Sequence, residues 1–268
     1  MIFDGKKFAQ EIEESVKTLI KSLKRKPKIV SILVGSDDAS SLYTKLKNQA
    51  AERVGIEFEI LRLENGNSIS ELGQMIMNLG EREGVDGIMI QLPIPGINKL
   101  EHEKILSMIP LHKDVDGLRW EQSGVKPATV SAVLKILQEI GDKYANDIWS
   151  RKFAVLGARG AVGRPLVNFL RSRGVEVSEI EWDTKNPEIL IRDSGVVISC
   201  VGKAGIVSLD MIGSKTIVVD VGMSSKEGKV VGDMDPLIYQ KASVAVPVPG
   251  GVGPVTIACL LQNVLEVI

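Results

Sequence analysis

Short apolar runs alternate with helix-length segments along most of the chain, and this alternation leaves few folds open. Phe8, Ile12, Val16, Leu19 and Leu23 mark a first amphipathic helix, stopped at Lys24-Arg25-Lys26-Pro27 by basic residues and a proline. Ile29 to Val34 then reads as a buried strand, Ser41 to Val54 as a helix closed by Gly55, and Ile56 to Leu63 as a second strand. Ser68 and Glu71 form a capping-box pattern ahead of Leu72, Met75, Ile76 and Leu79, and Gly87 to Ile90 gives a third strand running into Gln91.

The passage from Leu92 to Lys126 breaks the rhythm with prolines and charges, a short helix near Glu101 to Ile109, and Asp114-Val115-Asp116-Gly117. Val130, Val133, Leu134, Leu137 and Ile140 define a connecting helix. Strands follow at Phe153 to Leu156, Val175 to Ile180, Val196 to Ser199, Thr216 to Val221 and Val244 to Val246. The expected architecture is two α/β domains with parallel sheets, residues 1–124 and 125–268, and a cleft between them. The second is a Rossmann-like doubly wound nucleotide-binding domain, with the helix over 255–268 packing back on the first.

Open parallel sheets bind ligands beyond the carboxyl ends of their strands, which directs attention to Gln91, Gly157, Gly222 and the segment after the last strand. That segment, Pro247 to Pro254, holds three glycines and three prolines. It suits a rigid backbone wall ending at a helix start, where free N–H groups favour an anionic or carbonyl-rich ligand; a tight structural turn is the plain alternative.

A net charge of −1 over 268 residues, with a pI near 6.2, offers no electrostatic footprint for nucleic acid or an anionic membrane. No apolar run approaches the roughly 18 residues of a membrane span and the first residues lack a signal-peptide core, so a cytoplasmic protein is expected. Cys200 and Cys259 are isolated within apolar stretches, and His102 and His112 are the only histidines. Their spacing suggests buried thiols and no metal site.

Gly157-Ala158-Arg159-Gly160-Ala161-Val162-Gly163 follows a strand and opens a helix, the setting in which glycines let backbone approach a pyrophosphate. Its G-x-x-G-x-x-G spacing also fits a close-packed turn. Asp183 lies about twenty residues past the last glycine, where a carboxylate can bond ribose hydroxyls. Tyr43 and Lys47 share a helix face beside Leu42, Leu46 and Ala50. A lysine held against apolar surface has its ammonium destabilised and can exchange protons near neutral pH, although most helical lysines are solvated. Asp116 can accept two hydrogen bonds from an amino-pyrimidine edge, or be a turn residue, and Gln91 can both donate and accept at its strand end.

In this order, Ala39-Ser40-x-x-Tyr43-x-x-x-Lys47, Gln91-Leu92-Pro93, Lys113-Asp114-Val115-Asp116-Gly117, Val219-Asp220-Val221-Gly222, Val231-Gly232-Asp233 and the Pro247–Pro254 loop with Thr256 resemble the bifunctional methylenetetrahydrofolate dehydrogenase/methenyltetrahydrofolate cyclohydrolase family. The resemblance implies hydride transfer from 5,10-methylenetetrahydrofolate to a nicotinamide dinucleotide and hydrolysis of the product to 10-formyltetrahydrofolate. It implies Lys47, Gln91, Asp116 and Tyr43 as catalytic residues. A folate site would also include Ile90, Leu92, Asp114, Pro249, Gly250, Gly251, Val252 and Gly253. The cofactor site would hold Gly157, Ala158, Arg159, Gly160, Val162, Gly163, Asp183, Val201, Gly202, Gly222 and Met223. A homodimer is implied as well.

The chain departs from the family where the 2′-phosphate pocket is expected, with Gly157-Ala158-Arg159 for Gly-Arg-Ser and Trp182-Asp183 for His-Ser. Ala158 and Asp183 argue for NAD, whereas Arg159, Arg164 and Lys185 offer replacement cations. NADP is the cofactor expected on family habit, with NAD open. Pro127-Ala128-Thr129-Val130 follows a shortened approach segment where the family often has Pro-Cys-Thr-Pro. Alternatives are a Rossmann dehydrogenase of another small substrate, such as a shikimate-like one, and a folate-binding protein without turnover.

Overall fold

The computed structural model describes residues 1–35, 37–64 and 68–268. The chain divides into two compact units, one of Met1–Phe8 with Thr129–Thr256 and the other of Ala9–Ala128 with Ile257–Ile268. The first eight residues thus join the unit of residues 129–256, and the last twelve join the unit of residues 9–128.

The unit containing Ala9–Ala128 is built on β1 (Lys28–Val34), β2 (Glu57–Leu63) and β3 (Gly87–Ile90), in the parallel order β2-β1-β3. β1 is central and almost wholly buried, as its apolar run requires, while β2 carries Glu57, Glu59 and Arg62 on the sheet edge. Charged edge residues discourage pairing with another chain. The helix Asp38–Val54 starts where Asp37 accepts the Ser40 N–H at 2.7 Å and stops at Gly55 with φ 91°. The helix Ile69–Glu81 starts with the Ser68/Glu71 capping box. Val30, Ile32 and Val34 pack with Leu72, Ile76, Ile88, Ile90, Ile105 and Ile109 in one core.

Beyond β3 the chain returns alongside it, and Asp114 forms a parallel bridge with Ile88. This approach is tight: a Cβ on Gly87 would lie 2.5 Å from Val115. Asp114 then starts a turn, in which the Gly117 N–H donates to Asp114 O and Asp116 is half-buried.

The other unit contains β4 (Phe153–Leu156), β5 (Val177–Ile180), β6 (Val196–Ser199), β7 (Ile217–Asp220), the short β8 (Ser224–Lys226) and β9 (Lys229–Val231), and β10 (Val244–Val246). The parallel order is β10-β7-β6-β4-β5. From β4 the chain goes to β5 on one side and β6 on the other, so the switch point of this doubly wound sheet lies at the carboxyl end of β4. Ile2 bridges Ala245 and extends the pairing past β10. The β8/β9 hairpin is not evident in the sequence because both strands are short and polar; Glu227 and Gly228, with φ 53° and 72°, form its tight turn. No described helix is long and apolar enough to cross a membrane.

Candidate functional site

Lys47 projects from the helix Asp38–Val54 and is only 4% exposed. Its Nζ donates to Gln91 Oε1 at 3.1 Å and lies 4.7 Å from the centroid of the Tyr43 ring. Burial lowers the ammonium below the ordinary lysine range, and the negative charge of Asp116 opposes that shift. Gln91 is held by its backbone N–H, which donates to Ile32 O, and its Nε2 donates to Leu92 O. The amide therefore presents its oxygen to Lys47. The four residues expected to be catalytic are thus one cluster: a ring, an amine, an amide and a carboxylate at the carboxyl end of β3.

The helix uses a different face from the one its apolar spacing suggested. Leu42 and Leu46 are exposed, whereas Ser40, Thr44, Lys47, Ala50, Ala51 and Val54 are buried. The small residues let the helix pack closely on β1 and β2, so Lys47 belongs to the buried face instead of bordering it.

Two residues expected to line the folate site are occupied elsewhere. Ile90 puts its side chain into the core, leaving backbone alone for a ligand. Asp114 is 0% exposed, and its carboxylate accepts from Leu118 N–H at 3.0 Å, Arg119 N–H at 2.8 Å and Ser123 Oγ at 3.2 Å. Burial pushes the Asp114 carboxyl up in spite of these donors. Asp114 organises the turn that carries half-buried Asp116. Asn263, not foreseen, anchors the same turn: its Nδ2 donates to Val115 O at 2.9 Å and Lys126 O at 3.0 Å. Leu92 packs partly buried on the same core.

In the other unit the Gly157–Val162 loop joins β4 to the helix Gly163–Ser172 at the switch point. Its glycines are first of all steric. A Cβ on Gly163 would lie 2.1 Å from Gly157 O, and one on Gly157, whose φ is 73°, would lie 2.9 Å from Cys200 O. Ala158 is buried, so it can meet a ligand only through backbone; Arg159, Gly160 and Ala161 are exposed. Glu181, the first residue past β5, accepts the Arg159 backbone N–H at 2.5 Å. The Arg159 guanidinium pairs with Asp183 at 3.2 Å. An exposed backbone-rich turn at a helix start, with a carboxylate at the neighbouring strand end, fits the pyrophosphate and ribose of a dinucleotide.

Two buried carboxylates shape the remaining loops. Asp233 accepts from Ser199 Oγ at 2.7 Å, Val201 N–H at 2.8 Å and Lys203 N–H at 2.8 Å, so it sets the turn containing Val201 and Gly202. Asp220 accepts from the Asp233 and Met234 N–H groups and from Tyr239 Oη. Burial pushes Asp220 up to about 6, and burial with the Asp220 charge raises the Tyr239 phenol. Gly222 is glycine for these carboxylates, since its Cβ would sit 2.0 Å from Asp233 Oδ2. Met223 is exposed, and burial first, then Asp233 and Asp220, push the thiol of half-buried Cys200 upward.

After β10, Gly251 N–H donates to Pro247 O, and Gly5 lies so close that a Cβ there would be 1.9 Å from Gly251 O. The terminal helix begins at Val252, two residues before Pro254. Val252 and Gly253 therefore form its first turn, and Val252 is buried; Pro249 is exposed, and Gly250 has φ 97°.

Residues 3–116 match the family model for the tetrahydrofolate dehydrogenase/cyclohydrolase catalytic domain, and residues 127–268 match that for the NAD(P)-binding domain of the same enzymes. The chain belongs to the tetrahydrofolate dehydrogenase/cyclohydrolase family. A bifunctional FolD protein from Hydrogenobaculum is 36% identical over 272 residues, covering 99% of this chain and 97% of its own. The crystal structure of the Campylobacter jejuni bifunctional FolD enzyme has a TM-score of 0.89 at 34% identity, covering 100% of this chain and 98% of its own. The Trypanosoma brucei FolD, complexed with NADP cofactor and inhibitor, has a TM-score of 0.89 at 29% identity, covering 100% and 96%.

Within this family frame, sequence reasoning missed Glu181, Tyr239 and Asn263 and gave Asp233 no role beyond its motif. Glu181 had a signal, because it directly follows a strand and stands eighteen residues past Gly163. The other three act through hydrogen bonds to residues distant in sequence. Among the described residues no group of three or more His, Cys, Asp and Glu side chains is placed to hold a metal ion.

Proposed function

We propose that this chain oxidises 5,10-methylenetetrahydrofolate to 5,10-methenyltetrahydrofolate and hydrolyses that product to 10-formyltetrahydrofolate. Family membership supports both steps, and the observation that carries the reading is the buried Lys47 amine held on Gln91 beside Tyr43 and Asp116. A bound nicotinamide dinucleotide supplies the hydride acceptor, held by the Gly157–Val162 turn, Val201 and Gly202, and Gly222 and Met223.

Hydrolysis needs water to add at the methenyl carbon and a ring C–N bond to open, so a proton must leave the water and reach the departing nitrogen. Lys47 is proposed to manage that proton, because desolvation makes its neutral amine accessible well below the usual lysine range. Gln91 aims the amine, Tyr43 packs against the folate, and Asp116 accepts hydrogen bonds from the pterin amino edge. The backbone of Ile90 and Leu92 completes the folate contacts of this unit. Asp114 is assigned to positioning Asp116.

A homodimer and a cytoplasmic location belong to the same proposal, the former checked by light scattering and the latter by fractionation. Another Rossmann dehydrogenase substrate and folate binding without turnover are not favoured by the family match. The test is reduction of a nicotinamide dinucleotide strictly dependent on methylenetetrahydrofolate, together with loss of methenyltetrahydrofolate hydrolysis in a folded Lys47→Met protein. Failure of the first removes the dehydrogenase, and undiminished hydrolysis removes the role of Lys47.

A further inference from the structure

We propose that Glu181, supported by Asp183, makes this chain select NAD over NADP. This rests on the dehydrogenase reading above and concerns only the end of the cofactor remote from the hydride.

Glu181 occupies the first position after β5, the strand paired with β4, whose end opens the glycine turn. Its Oε1 accepts the Arg159 N–H of that turn, which fixes the carboxylate against the backbone that cradles a pyrophosphate. The chain at Glu181 is itself set: its N–H donates to Thr184 Oγ1 at 2.8 Å, and Thr184 N–H donates back to Glu181 O at 3.1 Å. A carboxylate in this place accepts from both hydroxyls of an unmodified ribose. A 2′-phosphate in the same place offers no donor in its ionised form and meets like charge.

The cation carried by the glycine turn is already committed. Arg159 extends from the turn, but its guanidinium meets both oxygens of Asp183, at 3.2 and 3.4 Å. The Arg159 backbone thus engages one carboxylate and its guanidinium the other. Trp182, between the two acids, is 92% exposed and presents an aromatic face at the strand end that takes adenosine. Among the other nearby basic residues, Lys185 is exposed just past the turn and Arg164 starts the following helix.

The experiment measures calorimetric dissociation constants of the full chain for NAD and NADP, with initial rates of methylenetetrahydrofolate oxidation alongside. NAD is expected to bind at least about tenfold more tightly, the scale of a single charge-assisted hydrogen bond. Glu181→Gln keeps an acceptor for the Arg159 N–H and removes the charge, and Asp183→Asn releases Arg159. Each should strengthen NADP binding several-fold, and the Glu181 change should weaken NAD. NADP bound as tightly as NAD by the native protein, or unchanged discrimination in both variants, overturns the inference. Binding of neither dinucleotide overturns the dehydrogenase reading as well, while NADP-dependent turnover with tight NADP binding sinks only the selectivity.

Discussion

The Tyr239 hydroxyl donates to Asp220 Oδ2 across 2.7 Å, joining a residue on the short helix Ile238–Lys241 to the end of β7. Asp220 also holds the N–H groups of Asp233 and Met234, and Asp233 in turn holds those of Val201 and Lys203. Loops after β6 and β7 are therefore set by one chain of side chains.

This arrangement predicts a measurable titration. The Asp220 carboxyl is raised from 3.8 to about 6 chiefly by burial. Between those values the folded protein binds the proton that the unfolded chain has released, so Asp220 favours the folded state at low pH and that contribution is lost as pH rises through about 6. The full effect is on the order of 3 kcal/mol. Carboxyl NMR should give a midpoint near 6, and urea unfolding of Asp220→Asn should lack this part of the pH slope.

Lys47 should govern the pH profile of hydrolysis. Because burial lowers its pKa, the reactive amine forms at lower pH than for a solvated lysine, and the rate should rise to a plateau before the ordinary lysine range. Lys47→Met should reduce methenyltetrahydrofolate hydrolysis by about 10²–10⁴-fold with the unfolding midpoint little changed. A rate still rising through the ordinary lysine range would argue against the assignment.

Gln91→Leu removes the acceptor that aims the amine while keeping a similar volume. Hydrolysis should fall by roughly tenfold or more, with a smaller change in folate affinity, since positioning acts on the rate. Separate determination of kcat and KM decides whether the effect is aim or binding.

Asn263→Ala leaves Val115 O and Lys126 O without their side-chain donor in a buried place. A loss of about 1–3 kcal/mol is expected by urea unfolding, with weaker folate binding because the turn bearing Asp116 loosens. Unchanged stability would mean that water replaces the amide.

Gly5→Ala should be among the costlier single-methyl additions. The new Cβ would lie 1.9 Å from Gly251 O, against backbone that cannot rotate away. About 1–3 kcal/mol of destabilisation is expected from thermal unfolding, more if the loop after β10 cannot shift.

Strands such as Phe153–Leu156 and Val196–Ser199 are legible in the sequence because burial on both faces leaves an unbroken apolar run. The helix after Ser68 is legible from its cap, and Gln91 from its place at a strand end. The buried face of the helix Asp38–Val54 is not, because close packing selects Ser40, Thr44 and Ala51 and lets Leu42 and Leu46 face outward. Asp220 and Asp233 are visible in the sequence only as members of the Val219–Gly222 and Val231–Asp233 motifs, because their donors come from elements that no local period links. Asp114 and Asp116 flank Val115 in one short segment, and burial separates the turn organiser from the available acceptor.

The interleaving of the two units bears on synthesis. One unit combines the first eight residues with a stretch ending at Thr256, and the other begins at Ala9 yet needs Ile257–Ile268, including Asn263. A ribosome making this chain cannot release one finished unit before starting the next. Met1 to Phe3 must wait for Ala245, and the turn at Val115 must wait for Asn263, before either gains its partners. Such long closures come late and slowly. The incomplete chain emerging from the ribosome is where a molecular chaperone would have most to protect.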